Sequence, residues 1–488
     1  MPREPLNTSA RWALTSLALS MLMPSLDTSI ANAGLPMLAA AFDATFQQVQ
    51  WIVLAYLLTV TTLIVSVGRL GDGIGRRRLL LIGIGVFTAA SLCCALAPGL
   101  GWLIGARAVQ GVGAAIMFAL TVALVADAVP KSRAGSAMGL LATMSATGTT
   151  LGPSLGGLLM AHLGWHSIFL LNVPLGLLNA WLVYRYLPAD RAISTRVAFD
   201  YFGTGVLVLT LAAYALAMTL TGLALPLLLV SACGAGLFVF IEMRVKVPLI
   251  RLSLFADRRL SSSLLLTLLV TTVMMTTLVF GPFYLSRGLG LSSATVGLVL
   301  SIGPLLAAFG GVPAGRLVDR FGARRIVPGA LLGLACGCGL LASLPMSLGV
   351  FAYVLPIAMV AVSYALFQAA NNTGLMAGVS QDQRGVVSAL LGLARNLGLI
   401  TGAAVMGAVF ALAAGDPTEA PAAAIASGLH TTFAVATAIA FMALIISRTQ
   451  FNCGSGLARE SGESGNTVLT DTPPSRASPL PQGNGGDR

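Results

Sequence analysis

A charged segment between two long apolar stretches occurs twice in this chain. The first copy, 68–78, reads GRLGDGIGRRR, and the second copy, 315–325, reads GRLVDRFGARR. Both copies combine glycines, an aspartate and an arginine cluster, which favours a tight, charged connection between two helices. Two such connections in one chain indicate a duplicated bundle of membrane-spanning helices.

The composition excludes an ordinary soluble protein. The chain is 56% hydrophobic and 9% charged, with a mean hydropathy of +0.89, whereas soluble proteins carry roughly 25% charged residues. Its net charge is +11, and the basic residues are scattered among apolar segments. They do not form the single solvated patch that binds nucleic acid. The six cysteines lack the paired spacing of a zinc site or a disulfide scaffold. We therefore expect a multi-pass membrane protein with no metal site and no cofactor.

Fourteen apolar stretches approach the length of about 20 residues that crosses a bilayer. They are 12–35, 51–68, 79–97, 102–126, 136–160, 168–184, 201–220, 225–241, 264–284, 296–315, 326–344, 348–375, 386–414 and 431–447. Of the 28 Lys and Arg residues, all but Arg107, Arg287 and Arg395 fall on one side of these stretches. Because cytoplasmic loops retain basic residues, both termini are expected to be cytoplasmic.

The positions of the repeated segment predict the domain organisation. It follows the second and the tenth span, so two extra helices must separate the duplicated halves. We predict an N-terminal six-helix bundle at 1–186, two inserted transmembrane helices with cytoplasmic linkers at 187–259, and a C-terminal six-helix bundle at 260–448. The residues 449–488 are rich in Ser, Gly, Pro and charge, which predicts a disordered cytoplasmic tail. Parallel halves are one repeat plan of secondary transporters.

Four motifs, in order, resemble the major facilitator superfamily and, within it, the fourteen-helix drug/proton antiporters. They are LDTSIAN at 26–32, the segment 68–78, RAVQGVG at 107–113 and GTTLGPSLGG at 148–157. The resemblance covers about 12–448 and implies an all-α major facilitator fold of two six-helix bundles with two extra transmembrane helices between them. It also implies a monomeric transporter of the bacterial inner membrane. Two residues depart from the family pattern, Gly73 in place of a basic residue and His166 in place of a frequent arginine.

Asp27 is the only acidic residue deep within a predicted span. A charge in lipid is costly, so such a residue is a functional candidate. At about 1.5 Å per residue, Asp27 and Arg107 lie at similar depths and could meet. A carboxylate that alternates between protonation and pairing with a cation can carry protons, and the resemblance assigns proton coupling to this region. The alternative is a structural salt bridge.

Two further groups of residues are predicted to act in conformational change. The fifth span offers small residues and a proline that let another helix approach and favour a bend; these are Gly148, Gly152, Pro153 and Gly157. The repeated segments offer latches that hold one state, formed by Gly68, Asp72, Arg76, Gly315, Asp319 and Arg320. Ordinary helix packing and a plain solvated turn are the respective alternatives.

Substrate contacts are expected from the ninth, twelfth and thirteenth spans. Polar groups at membrane depth usually face protein or water, while Met and aromatic side chains adapt to planar ligands. The candidates are Gln368, Asn371, Arg395, Met275, Phe283 and Tyr364. For the apolar members, ordinary packing is the alternative.

The sequence contains no nucleotide-binding P-loop and no evident nucleophile and base, so we expect neither ATP-driven transport nor an enzyme. We expect an antiporter that exports small amphipathic organic molecules, of multidrug or antibiotic type, by alternating access. Its partners are a small-molecule substrate, protons and the lipid bilayer. The lack of a second buried acid favours neutral, zwitterionic or planar substrates. Uptake of a specific metabolite or an aromatic vitamin such as riboflavin stays open, as does a non-transporting receptor or assembly protein.

Overall fold

The computed structural model describes residues 8–128, 134–190, 201–219, 223–245, 255–376, 384–416 and 420–463. The described residues form 15 α-helices, and they contain no strand. The helices are α1 (Thr8–Ala41), α2 (Phe46–Ile74), α3 (Arg76–Ala95), α4 (Leu100–Ala128), α5 (Ala134–Leu163), α6 (His166–Leu170), α7 (Asn172–Tyr186), α8 (Tyr201–Thr219), α9 (Ala224–Arg244), α10 (Arg258–Phe283), α11 (Ser293–Phe321), α12 (Ala323–Ser343), α13 (Phe351–Met376), α14 (Arg384–Ala414) and α15 (Ala422–Glu463).

Each predicted span overlaps a helix, and the sixth is divided between α6 and α7. Within the described ranges, ten helical segments are long and apolar enough to cross a membrane. Two more helices, α8 and α11, contain the shorter apolar stretches Phe202–Ala217 and Ser293–Ala307. The structure therefore supports a multi-pass helical fold, and the number of fourteen spans stays a prediction.

The repeated segment is mostly helical. In the first copy α2 runs to Ile74 and the chain reverses at Gly75, with φ of 105°. In the second copy α11 runs to Phe321 and the chain reverses at Gly322, with φ of 78°. Side chains disfavour positive φ, so glycine suits these two positions. The turn predicted for the whole segment is therefore confined to one glycine in each copy. We call the end of the bundle that holds Gly75 and Gly322 the arginine end.

The helix contacts repeat in two sets. In the first half, α1–α7, helix α1 packs on α5, α2 and α3 pack on α4, and α7 packs on α1 and α3. In the second half, α10–α15, the corresponding contacts are α10 on α14, α11 and α12 on α13, and α15 on α10 and α12. This correspondence is what a duplicated bundle produces.

The helices α8 and α9 stand between the halves in sequence and pack on each other. Helix α8 also contacts α2 of the first half and α14 of the second, and Tyr214 hydrogen-bonds to Thr401. Within the most apolar stretch of α9, only 6% of the residues are buried. Lipid therefore surrounds most of α9.

The halves meet at the end opposite the arginine end, which we call the closed end. There the ring of Phe46 from the first half lies 5.1 Å from Phe283, 5.7 Å from Phe280 and 6.0 Å from Phe410, all in the second half. Nearby, the side-chain amide of Gln50 donates to the carbonyl oxygen of Ala403. Four aromatic rings thus form an apolar seal between the halves.

Helices α5 and α11 cross at the closed end through glycines. A Cβ atom added at Gly157 would lie 2.5 Å from the carbonyl oxygen of Ser293, and one added at Gly297 would meet the carbonyl oxygen of Pro153. The amide of Ser154 also donates to Ser301 Oγ at 3.0 Å. Backbone approaches backbone here, so this is a close contact between the two halves.

Candidate functional site

Asp27 lies at the centre of a buried polar cluster in the first half. Asp27 is 2% exposed and Arg107 is fully buried. Arg107 Nη1 donates to Asp27 Oδ2 at 2.5 Å, while Gln110 Nε2 and Asn172 Nδ2 donate to Asp27 Oδ1 at 2.9 Å and 2.7 Å. A desolvated carboxylate is tolerated only when it is paired and hydrogen-bonded. Here the Arg107 guanidinium pairs with the carboxylate, and two side-chain amides donate hydrogen bonds to it.

Arg107 is held by contacts from several helices. Its Nε donates to the carbonyl oxygen of Ile52 at 3.2 Å, and its Nη1 also donates to Gln110 Oε1 at 2.6 Å. Its Cζ lies 4.3 Å from the centroid of the Tyr56 ring and 5.9 Å from that of Phe169. A guanidinium over an aromatic face gains a cation–π attraction. The charge is thus fixed in place by α2, α4 and α6.

The glycines of RAVQGVG bring the neighbouring helices close to Arg107. A Cβ atom at Gly111 would lie 2.8 Å from the carbonyl oxygen of Tyr56, and one at Gly113 would lie 2.5 Å from the backbone nitrogen of Phe87. Helices α2 and α3 can therefore pack directly on α4. This approach puts Ser91 of α3 within 2.8 Å of Gln110 Nε2, which donates to it.

The glycine-rich motif of α5 has two faces. Gly148 and Gly152 pack on α1, where a Cβ atom would lie 2.7 Å from the carbonyl oxygen of Leu22 and 2.6 Å from Ser29 Oγ, respectively. Gly157 instead packs on α11 of the second half. Pro153 lies between them and is buried. Helix α5 thus connects the helix that carries Asp27 with the opposite half, and the conformational role of these residues stays a prediction.

The described latch residues lie at the arginine end. Arg76 begins α3 and is half-buried, whereas Asp319 and Arg320 are exposed in the last turn of α11. A Cβ atom at Gly315 would meet nothing within 4 Å. The surroundings of Gly68 and the side chain of Asp72 lie outside the described residues.

The carboxylate of Asp190 stabilises the reversal at Gly75. Asp190 accepts hydrogen bonds from the backbone amides of Arg77 at 2.8 Å and Arg78 at 3.0 Å. A carboxylate at a helix N-terminus satisfies unpaired amides and interacts favourably with the helix dipole. Asp190 thereby fixes the start of α3 to the chain that follows α7.

Two of the predicted substrate residues, Gln368 and Tyr364, are in direct contact. Gln368 Nε2 donates to the hydroxyl of Tyr364 at 3.0 Å, both on α13, and Arg395 lies on α14. Gln368 and Tyr364 are half-buried, and Arg395 is exposed at mid-helix. These groups present an aromatic face, an amide and a cation.

The other three lie in packed regions. Asn371 is buried, accepts from Ser263 Oγ at 2.9 Å and donates to Thr267 Oγ1 at 3.0 Å. Met275 is buried where α10 packs on Gly402 of α14. The third, Phe283, belongs to the aromatic seal described above.

Sequence reasoning missed the neutral partners of Asp27. Gln110 lies in the RAVQGVG motif and Asn172 lies in the sixth predicted span, yet neutral polar residues in apolar spans are too common to single out. The spacing of Gln110 from Arg107 offered a signal, because residues three apart share a helix face.

Comparison with known proteins agrees with the fold. The family model of the Major Facilitator Superfamily matches residues 17–403 and 263–453. The riboflavin transporter RibZ of Clostridioides difficile (strain 630) is 28% identical over 440 residues, covering 89% of this chain and 96% of that protein. The multidrug resistance protein Stp of Mycobacterium tuberculosis (strain CDC 1551 / Oshkosh) is 30% identical over 422 residues, covering 83% of this chain and 77% of Stp.

A solved structure shares the architecture. The bacterial homologue of the human lysosomal transporter Spinster, in its inward-facing and occupied conformation, superimposes with a TM-score of 0.68 at 17% identity, covering 92% of this chain and 98% of that one. This likeness concerns the fold alone. The family model spans most of the chain, so the chain belongs to the major facilitator superfamily, whose members move small molecules across membranes, often with protons.

Proposed function

We propose that this protein is a proton-coupled exporter of small amphipathic organic molecules that works by alternating access. The observation that carries the proposal is the sealed pair of Asp27 and Arg107, both buried in a transporter fold that is closed at one end. Protonation of Asp27 removes its charge and weakens the pair, whereas proton loss restores it. The paired arrangement then corresponds to the state that has released its proton.

The proposed topology has fourteen membrane-spanning helices in a six, two, six order. The bundles are 1–186 and 260–448, the inserted pair lies in 187–259, and both termini face the cytoplasm of a bacterial cell. The repeated helix contacts and the packing of α8 on α9 support this division. The basic residues support placing the arginine end in the cytoplasm. The closed end then faces outward, and one chain suffices for transport.

Tyr364, Gln368 and Arg395 are the proposed substrate contacts. An aromatic ring stacks on planar molecules, and a guanidinium binds carbonyl or anionic groups. None of the three is acidic, which favours neutral, zwitterionic or planar substrates. The similarity to a multidrug resistance protein supports export.

The test uses inside-out membrane vesicles with an imposed pH gradient and a fluorescent planar dye. We expect wild-type vesicles to accumulate the dye until the gradient is collapsed, and Asp27→Asn vesicles to lose this accumulation because the residue no longer exchanges a proton. Asp43→Asn is the matched control, since Asp43 is exposed at the closed end and Asn suits its positive φ of 46°. A folded, inserted Asp27→Asn protein with full gradient-driven transport would contradict the proposal.

Riboflavin transport is the second candidate. The observation that favours it is the similarity to RibZ, which extends over 96% of that protein. Labelled riboflavin is therefore offered to the same vesicles and to intact cells of a riboflavin auxotroph. Uptake of riboflavin by the cells, without dye accumulation in the vesicles, would favour the vitamin over drug export.

A further inference from the structure

A polar stripe continues from Asp27 along the seam between α1 and α7. These helices pack antiparallel, and Asp27 of α1 faces Asn172 of α7. Two helical turns towards the arginine end, roughly 10 Å away at the usual helical rise, Asn179 Nδ2 donates to Ser20 Oγ at 2.8 Å. The two pairs have matched spacing on both helices, so they lie on one stripe.

The seam between α1 and α7 continues to the arginine end. Ser20 Oγ donates to the carbonyl oxygen of Ser16 at 2.9 Å, and both serines are fully buried. Beyond them Tyr186 of α7 stacks on Trp12 of α1, with centroids 5.7 Å apart. Trp12 is 43% exposed, so the seam ends at the protein surface.

Two buried amide oxygens on this stripe have no partner within the protein. Asn172 must turn its NH₂ group towards the carboxylate of Asp27, which only accepts, and its Oδ1 is left over. Ser20 gives its proton to Ser16, so Asn179 must donate to Ser20, and its Oδ1 is also left over. The orientation of both amides is therefore fixed by their neighbours.

Further polar groups lie at the levels of these oxygens. Pro24 has no amide proton to donate to the carbonyl oxygen of Ser20 four residues earlier. Between the two asparagines, Gly176 of α7 lies directly against the hydroxyl of Thr88 of α3, which donates to the carbonyl oxygen of Ile84 at 2.7 Å. A hydroxyl of α3 therefore also lies at the turn between the two asparagines. Buried acceptors without a protein partner are costly unless water binds them.

We propose that water bound along the α1–α7 seam carries the proton between Asp27 and the arginine end. A proton that leaves Asp27 enters the water chain, and one proton leaves the chain at the arginine end, so charge and atoms balance. The amides and hydroxyls of Asn172, Asn179 and Ser20 hold the water in place. This route lies within the first half. The proposed substrate contacts Tyr364, Gln368 and Arg395 lie in the second half. It rests on the proposed function, in which Asp27 exchanges protons.

The test compares two activities of the full-length protein in liposomes, with the same dye. Gradient-driven accumulation requires proton release in each cycle, whereas dye exchange at equal pH does not, because the loaded protein moves in both directions. We expect Asn179→Leu to lower gradient-driven accumulation by about tenfold or more, the scale of a lost proton-transfer group, and to leave dye exchange unchanged.

Two matched variants separate proton transfer from packing. Asn179→Ser keeps a polar group with room for water and is expected to recover most of the gradient-driven accumulation. Val183→Ala changes a buried apolar side chain one turn away on α7 and is expected to retain both activities.

Three outcomes would overturn the route. If Asn179→Leu accumulates dye like the wild type, protons do not use the seam. If Asn179→Leu loses both activities equally, the residue is only structural. A wild-type protein that ignores the gradient would overturn the proposed function together with this route, whereas a failure of the route alone leaves the response of the wild type intact.

Discussion

At the scale of single residues, glycine has two different roles in the same helix. A Cβ atom at Gly113 of α4 would lie 2.5 Å from the backbone nitrogen of Phe87 and 2.7 Å from the carbonyl oxygen of Gly83, both on α3. Backbone atoms cannot turn aside as a side chain can. Gly105, also on α4, faces open space.

We therefore expect Gly113→Ala to destabilise the protein and Gly105→Ala to leave it as stable or more stable. Overpacking at Gly113 should cost about 1–3 kcal/mol, whereas alanine at Gly105 should gain up to about 1 kcal/mol from helix propensity. Thermal unfolding of the purified variants, followed by fluorescence, checks both. Equal melting temperatures would show that α3 and α4 can separate without loss.

The residues of the site differ in how well the sequence predicts them. Asp27 and Arg107 stand out because charge is rare within apolar spans, and the helical rise alone puts them at one depth. Asn172 and Asn179 carry no such signal, since a neutral amide in a span can face a neighbour, a cavity or water. Only the packing of α7 on α1 shows that their spacing matches that of Asp27 and Ser20.

At the scale of elements, α5 joins two surfaces of different kinds. Gly156 packs within its own half, on the side chain of Ile30, while the adjacent Gly157 packs on the backbone of α11 in the other half. Adjacent helical positions differ by about 100°, which explains why neighbours in sequence contact different helices. Substitutions at these two adjacent glycines of the same helix can therefore test which contact closes the two halves.

We expect Gly157→Ala to weaken closure at the closed end and Gly156→Ala to leave it intact, since only the first puts a methyl group between the halves. Spin labels on Ala41→Cys and Leu348→Cys, exposed residues of the first and second half, report the separation in a cysteine-free background. Gly157→Ala should shift the distance distribution towards longer values. Identical distributions for both variants would place the closing contact elsewhere.

The helices themselves follow from the length of the apolar stretches, but their ends do not. Helix α2 continues to Ile74, beyond the predicted end of its span at 68, because positive φ is reached only at Gly75. Helix α15 continues to Glu463, past the boundary predicted at 448, and the rest of the predicted disordered tail, 464–488, lies outside the described residues. Hydropathy indicates where lipid begins, whereas backbone conformation decides where a helix stops.

At the scale of the whole molecule, the named contacts between the halves gather at the closed end, far from the arginine end. In the proposed orientation, which puts the arginine end in the cytoplasm, the structure is closed outward. The direction of access therefore depends on the membrane orientation, which the next experiment tests.

We expect Leu348→Cys to react with a membrane-impermeant maleimide in intact cells, and Arg324→Cys to react only after the cells are opened. Both side chains are exposed, Leu348 near the closed end and Arg324 at the arginine end. Labelling of purified protein from the two preparations, read on gels, checks the assignment. The reverse pattern would invert the proposed topology and the direction of transport.

The position of α8 couples movement of the two halves to the surrounding membrane. Helix α8 contacts α2 and α14, and these two helices meet through Gln50 at the closed end. If the halves separate there, α8 must change its contact with at least one of them, and α9 must follow through a medium that is mostly lipid. Hydrocarbon thickness and helix tilt are coupled. Bilayer thickness therefore enters the equilibrium between the two states, and lipids of different chain length should change the transport rate without touching the substrate residues.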